Sequence, residues 1–154
     1  MTPRRLNDTS SDPNAGREFS AGGVVVRGDE VVVIVPVKRD AAGKRVLALP
    51  KGHPDGSETA EAAALREVRE ETGVQGELVG RLGEVRYWYQ RGGSRVLKLV
   101  TFFLMEYRSG DLGDHDHEVE EACWMPMAQA ARSLTYAGER EMVVRALSQT
   151  AADR

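Results

Sequence analysis

Residues Gly52 to Val74, GHPDGSETAEAAALREVREETGV, hold the reading of this chain. From Ser57 to Thr72 nearly every residue is a strong helix former. Ser57 stands as an N-cap, Glu58 and Glu61 follow in the first turn, and Gly73 supplies a C-terminal stop. At 100° per residue Glu67, Glu70 and Glu71 fall at i, i+3 and i+4 and share one face, while Leu65, Val68 and Thr72 form an adjacent face fit to dock on a sheet. Three carboxylates within one turn repel one another by a few tenths of a kcal/mol per pair. No protein cation is expected at matching spacing, and a divalent cation from solution would reverse the sign. Hard oxygen ligands of this kind suit Mg²⁺ or Mn²⁺.

Working outward, Lys51 to Ser57 carries two glycines and a proline and reads as a loop, preceded by a short strand, Val46-Leu47-Ala48-Leu49, that Pro50 stops. Further upstream, two valine-rich runs flank Arg27-Gly28-Asp29-Glu30. They read as a hairpin buried on both faces, its second strand ending or bulging at Pro36. Downstream, Gly76 to Gln90 and Val96 to Tyr107 read as two long strands joined across Arg91-Gly92-Gly93-Ser94. Asp111 to Glu121 is an acidic loop, Ala122 to Met125 a last strand, and Met127 to Leu134 and Glu139 to Ser148 helices. Strands and helices mix without a regular alternation, which predicts an α/β fold: one mixed sheet with helices on both faces.

The 154 residues suffice for one domain with a sizeable core, expected over residues 18–150 behind a flexible arm at residues 1–17 rich in Asp, Asn, Ser, Thr, Pro and Gly. A net charge of −3 gives no basic field for nucleic acid, and no apolar run is long enough for a membrane. One cysteine, Cys123, excludes a disulfide framework. Met1 to Arg17 lacks the apolar core of a secretory signal, so the expected setting is cytoplasmic and the expected partner a small molecule.

An acidic helix face is ordinarily just solvated. Here the whole segment fits G-x₅-E-x₇-R-E-U-x-E-E-x-G-U, U being apolar, at Gly52, Glu58, Arg66, Glu67, Val68, Glu70, Glu71, Gly73 and Val74. A chance match in a chain of this composition is on the order of 10⁻⁶ to 10⁻⁵. The segment resembles the signature of the Nudix hydrolases, and the surrounding element order resembles their α/β/α sandwich. The resemblance implies hydrolysis of a nucleoside diphosphate linked to another moiety, by a water nucleophile with one or more divalent metals. It implies metal ligation by Glu67, Glu70 and Glu71 with the Gly52 carbonyl, and a structural ion pair between Glu58 and Arg66. It does not say which glutamate is the base.

In the acidic loop the resemblance favours Glu118 as a further metal ligand or base, ahead of Asp114, Asp116, Glu120 and Glu121, while His115 and His117 read as solvated. Pro50-Lys51-Gly52-His53, Gly83-Glu84-Val85-Arg86-Tyr87-Trp88-Tyr89, Lys98 and Leu134-Thr135-Tyr136 are similar to the diadenosine tetraphosphate hydrolase branch. That similarity implies asymmetric cleavage of the dinucleotide into ATP and AMP. Lys51, Tyr87, Tyr89, Lys98 and Tyr136 would hold adenine and polyphosphate. Tyr87 and Tyr89 lie on one side of a strand and Trp88 on the other, so part of this aromatic set is core. Lys98 interrupts an apolar strand and must reach solvent or a partner. The alternatives are a hydrolase of diphosphoinositol polyphosphates or of modified, oxidised nucleoside triphosphates, and, outside enzymes, a nucleotide-sensing domain.

Overall fold

The structure is a computed structural model that describes residues 16–152; the arm expected over residues 1–17 lies, but for its last two residues, outside them. β1 (Arg17–Arg27) and β2 (Glu30–Pro36) form the expected hairpin, with Arg27 opposite Glu30, and the register of β2 slips at Val35/Pro36 where proline withholds its N–H. Val46–Leu49 is not a strand. Only Ala48 pairs, its N–H and C=O both bonded to Ile34, because Pro50 cannot continue the ladder. The chain crosses instead to β1 as β3 (Lys51–Gly52), Gly22 facing Lys51 and Ala21 facing Gly52. The segment expected as pure loop thus begins as a two-residue strand.

Helix α1 (Ala60–Thr72) starts later than Ser57. Thr59 is the N-cap, its hydroxyl accepting from the Ala62 N–H at 3.1 Å, because Glu58 is turned back to accept from the Asp55 N–H at 2.9 Å. Gly73 closes the helix in the left-handed region at φ 79°, where an added Cβ would stand 2.2 Å from the Asp111 carbonyl oxygen. Two long strands follow, β4 (Val74–Arg91) and β5 (Ser94–Gly110), then a 3₁₀ turn at Leu112–Asp114, β6 (Val119–Pro126), α2 (Met127–Ser133) and α3 (Ala137–Ala152).

The sheet runs β4-β5-β1-β2-β6, with β1 parallel to β5 and the other pairs antiparallel; β3 joins at β1. β4 is an edge strand, and its register against β5 slips at Gln75/Gly76, Leu78/Gly80 and Arg81/Gly83. α1 packs Ala63, Ala64 and Val68 on one sheet face against Val25, Val32 and Met105. α2 and α3 cover the other face with Met127, Met142, Val143 and Ala146 against Val24, Val33, Phe102 and Leu104. The mixed α/β sandwich expected from the sequence is the one observed.

Candidate functional site

The site is built where β3 meets α1. Gly52 lies so close to the helix that a Cβ there would stand 2.2 Å from the Glu67 carboxyl carbon. One residue earlier the Lys51 N–H donates to Glu71 Oε1 at 2.9 Å. Arg66 ties the loop to the helix. Its guanidinium donates to both Glu58 oxygens at 2.9 Å and to the His53 carbonyl at 2.8 Å, and this pairing holds the Glu58 carboxyl below its ordinary range.

Arg66 does more than the sequence suggested. Its Nη1 lies 3.1 Å from both Glu67 and Glu70, so a protein cation does serve the carboxylate stripe. The sequence reading assigned Arg66 to Glu58 alone; its guanidinium also reaches Glu70, at i+4, and its direct neighbour Glu67. Among the described residues no guanidinium or ammonium forms an ion pair with Glu71, although the Lys51 charge lowers its proton affinity. Burial pushes its carboxyl up to about 8 against the Lys51 amide, with Glu67 and Asp116 adding to the rise. Glu67 is raised as well, by burial first, with Arg66 opposing and the Glu70 and Glu118 charges reinforcing.

The acidic loop lies beside this stripe, its Asp116 N–H donating to the Glu70 carbonyl at 2.8 Å. Glu120 and Glu121 face away, toward Arg39 and Arg45. Glu118 is exposed, its own N–H held by Asp116 Oδ1 at 3.0 Å. Among the described residues no three His, Cys, Asp or Glu side chains close into a cation cage. Mg²⁺ asks for less, typically one or two carboxylates completed by water and phosphate oxygens. The donor set passes that test: hard oxygens on Glu67, Glu70 and Glu71, the Gly52 backbone close against Glu67, and neighbouring carboxylates that raise the proton affinity of Glu67 and Glu71.

The other candidates divide. Lys51 Nζ donates to Glu139 Oε2 at 2.9 Å, and the Tyr87 hydroxyl donates to the same oxygen at 2.5 Å. Glu139 is 0% exposed, and its second oxygen accepts from the Leu49 N–H at 2.7 Å. Sequence reasoning missed Glu139, yet a signal was there. Glu139, Met142, Val143 and Ala146 stand at i, i+3, i+4 and i+7, so the carboxylate sits on the apolar stripe of α3. Tyr136 meets Tyr87 edge-on at 5.3 Å. Both tyrosines border a cleft of about 1050 Å³ that also touches Lys38, Arg39, His53 and Tyr89. Tyr89 is paired with Arg91 at its rim, and both hold Glu18 below its ordinary range. Lys98 makes no ion pair among the described residues, and its proton affinity is lowered by burial first and then by Lys51. Trp88, on the opposite side of β4, is 56% exposed.

A family description, NUDIX domain, matches residues 16–146. The chain belongs to that family. Its relatives include the Mycobacterium tuberculosis (strain CDC 1551 / Oshkosh) protein named "Putative mutator protein MutT4", 42% identical over 130 residues, which span 81% of this chain and 52% of the relative. A Mycolicibacterium smegmatis protein named "8-oxo-(d)GTP phosphatase" is 37% identical over 97 residues, 63% of this chain and 29% of that one. The chain thus spans about half or less of these relatives. Among solved structures, a NUDIX hydrolase from Nitrosomonas europaea superposes with a TM-score of 0.70 at 18% identity, covering 86% of this chain and 90% of the other. At that identity the likeness is one of fold. No described helix is long and apolar enough to cross a membrane.

Proposed function

We propose that this Nudix chain is a divalent-metal-dependent pyrophosphohydrolase acting on a modified, oxidised nucleoside triphosphate. The carrying observation is the closure of the β3 segment onto the carboxylate stripe, with Gly52 against Glu67 and the Lys51 amide on Glu71. Glu67, Glu70 and Glu71, the Gly52 carbonyl and Glu118 would hold Mg²⁺ or Mn²⁺. When bound, such an ion neutralises phosphate charge and acidifies a coordinated water. Arg66 fixes the directions of Glu67 and Glu70, the Lys51 amide fixes Glu71, and the cleft beside Tyr136 receives the base.

The choice of substrate draws on the names of the relatives, which speak of mutator and 8-oxo-(d)GTP chemistry. Diadenosine tetraphosphate, the substrate that the Pro50–His53 and Tyr87–Tyr89 segments suggested, is less well supported. Two of the side chains meant to hold it, Lys51 and Tyr87, are engaged with Glu139 instead.

A product-resolved screen of 8-oxo-dGTP, dGTP, diadenosine tetraphosphate and inositol pyrophosphates, each with Mg²⁺ or Mn²⁺ and with chelator, tests the reading. The expected result is metal-dependent hydrolysis of 8-oxo-dGTP in preference to dGTP. Preferential conversion of diadenosine tetraphosphate to ATP and AMP would overturn the substrate, and tight nucleotide binding without turnover would point to a sensor.

A further inference from the structure

Glu139 is a fully buried carboxylate that touches no candidate metal ligand, yet it grips the chain on both sides of Pro50. Its Oε1 accepts from the Leu49 N–H at 2.7 Å and its Oε2 from Lys51 Nζ at 2.9 Å. Burying a carboxylate is costly unless it is paired and hydrogen-bonded, and here the Tyr87 hydroxyl supplies a third donor at 2.5 Å. Charge-assisted bonds to one desolvated anion outweigh what the local ladder offers, because β3 is only two residues long and follows a residue that cannot donate. The gripped residue is also the one whose amide sits 2.9 Å from Glu71 on α1. Lys51 therefore joins two helices on opposite faces of the sheet, by its side chain to α3 and by its backbone to α1.

From this geometry we infer that Glu139 is a positioning residue of the proposed reaction: by clamping Leu49 and Lys51 it holds the Lys51 amide on Glu71, and it spends the Lys51 charge inside the protein rather than on substrate phosphate. The inference rests on the hydrolase reading for its kinetic consequence but not for its structural one. In Glu139→Gln one oxygen still accepts from Leu49, while the amide –NH₂ is turned donor-to-donor against the Lys51 ammonium and the Tyr87 hydroxyl must rotate to accept from it. Lys51→Met breaks the clamp from the other side, so that one variant remains if the other does not fold. Val143→Ala, at a buried position of the same helix, controls for lost stability alone.

The first readout is amide hydrogen exchange at Lys51 in chelator, without substrate. Exchange is expected to quicken about tenfold in both clamp variants, the scale of one lost hydrogen bond, while the amides of β1 keep their protection. Val143→Ala should show no selective change at Lys51. The second readout is kinetic, on the nucleotide that the wild type cleaves fastest. We expect kcat to fall about tenfold with KM within a factor of about three, the pattern of a misplaced group rather than a lost substrate contact. Unchanged exchange at Lys51 overturns the positioning role. So does a raised KM with normal kcat in Lys51→Met, which would put that ammonium on substrate. A wild type that cleaves no nucleotide, with the exchange result intact, removes the proposed function and leaves the clamp standing.

Discussion

Replacing Glu71 by glutamine should stabilise the metal-free protein and abolish its activity. The carboxyl ionises near 4.5 in the unfolded chain and is pushed up to about 8 in the fold, by burial first. Between those values unfolding releases a proton, so wild-type stability is full below pH 4.5 and is lost progressively as the pH rises through 8. At about 1.4 kcal/mol per tenfold in proton affinity, the loss is about 3 kcal/mol at pH 7. Glutamine cannot ionise, keeps the shape, and still accepts from the Lys51 N–H. The variant should therefore melt higher by roughly 6–12 °C at pH 7, taking about 2–4 °C per kcal/mol for a chain of this size. At pH 4 the two should melt together. Thermal denaturation in chelator at several pH values reads this directly. A difference independent of pH, or a variant less stable at pH 8, would refute the claim that burial raises the proton affinity of the Glu71 carboxyl. Added Mg²⁺ or Mn²⁺ should raise the wild-type melting temperature far more than that of the variant, since only a ligand of the native state stabilises it.

Gly52→Ala forces a Cβ into the Glu67 carboxyl, so kcat/KM should fall about 10²-fold or more, the cost of an ångström of misplacement; circular dichroism with steady-state kinetics separates this from unfolding. Glu118→Gln, at an exposed loop position, should lower kcat by about 10²-fold if the loop supplies a base or ligand, with the melting temperature unchanged; equal sensitivity at Asp116 instead would transfer the role.

The parts legible in the sequence are those whose causes are local. The apolar face of α1, the Gly73 stop and the turn at Gly28-Asp29 depend on residues within one or two turns of each other, and they came out close to where the fold has them. The cap was misjudged by two residues because Ser57 and Thr59 are equally able to cap; what decides between them is Glu58, drawn back to Asp55 and Arg66. The failed strand at Val46–Leu49 depends on Ile34, and the site's missing member on residues farther off still. Glu139 is buried by Leu49 and Lys51, 90 and 88 positions away. An acidic residue in the first turn of a helix ordinarily complements the dipole in solvent, and only its coincidence with Met142, Val143 and Ala146 betrays a different fate.

The slips along β4 bear on how the molecule behaves in crowded solution. An eighteen-residue strand at the border of a sheet leaves a long row of backbone donors and acceptors that a second chain could read as a template. Here three register breaks twist that row out of line, and its solvent face carries Glu77, Arg81, Glu84 and Arg86 in alternating sign. The opposite border, β6, is less than half as long as β4, bears Glu120 and Glu121, and ends in a proline without an N–H to offer. The sheet therefore terminates at both sides in strands ill suited to recruit another, which favours a protein that stays dispersed at concentrations where a flat border would nucleate fibrils.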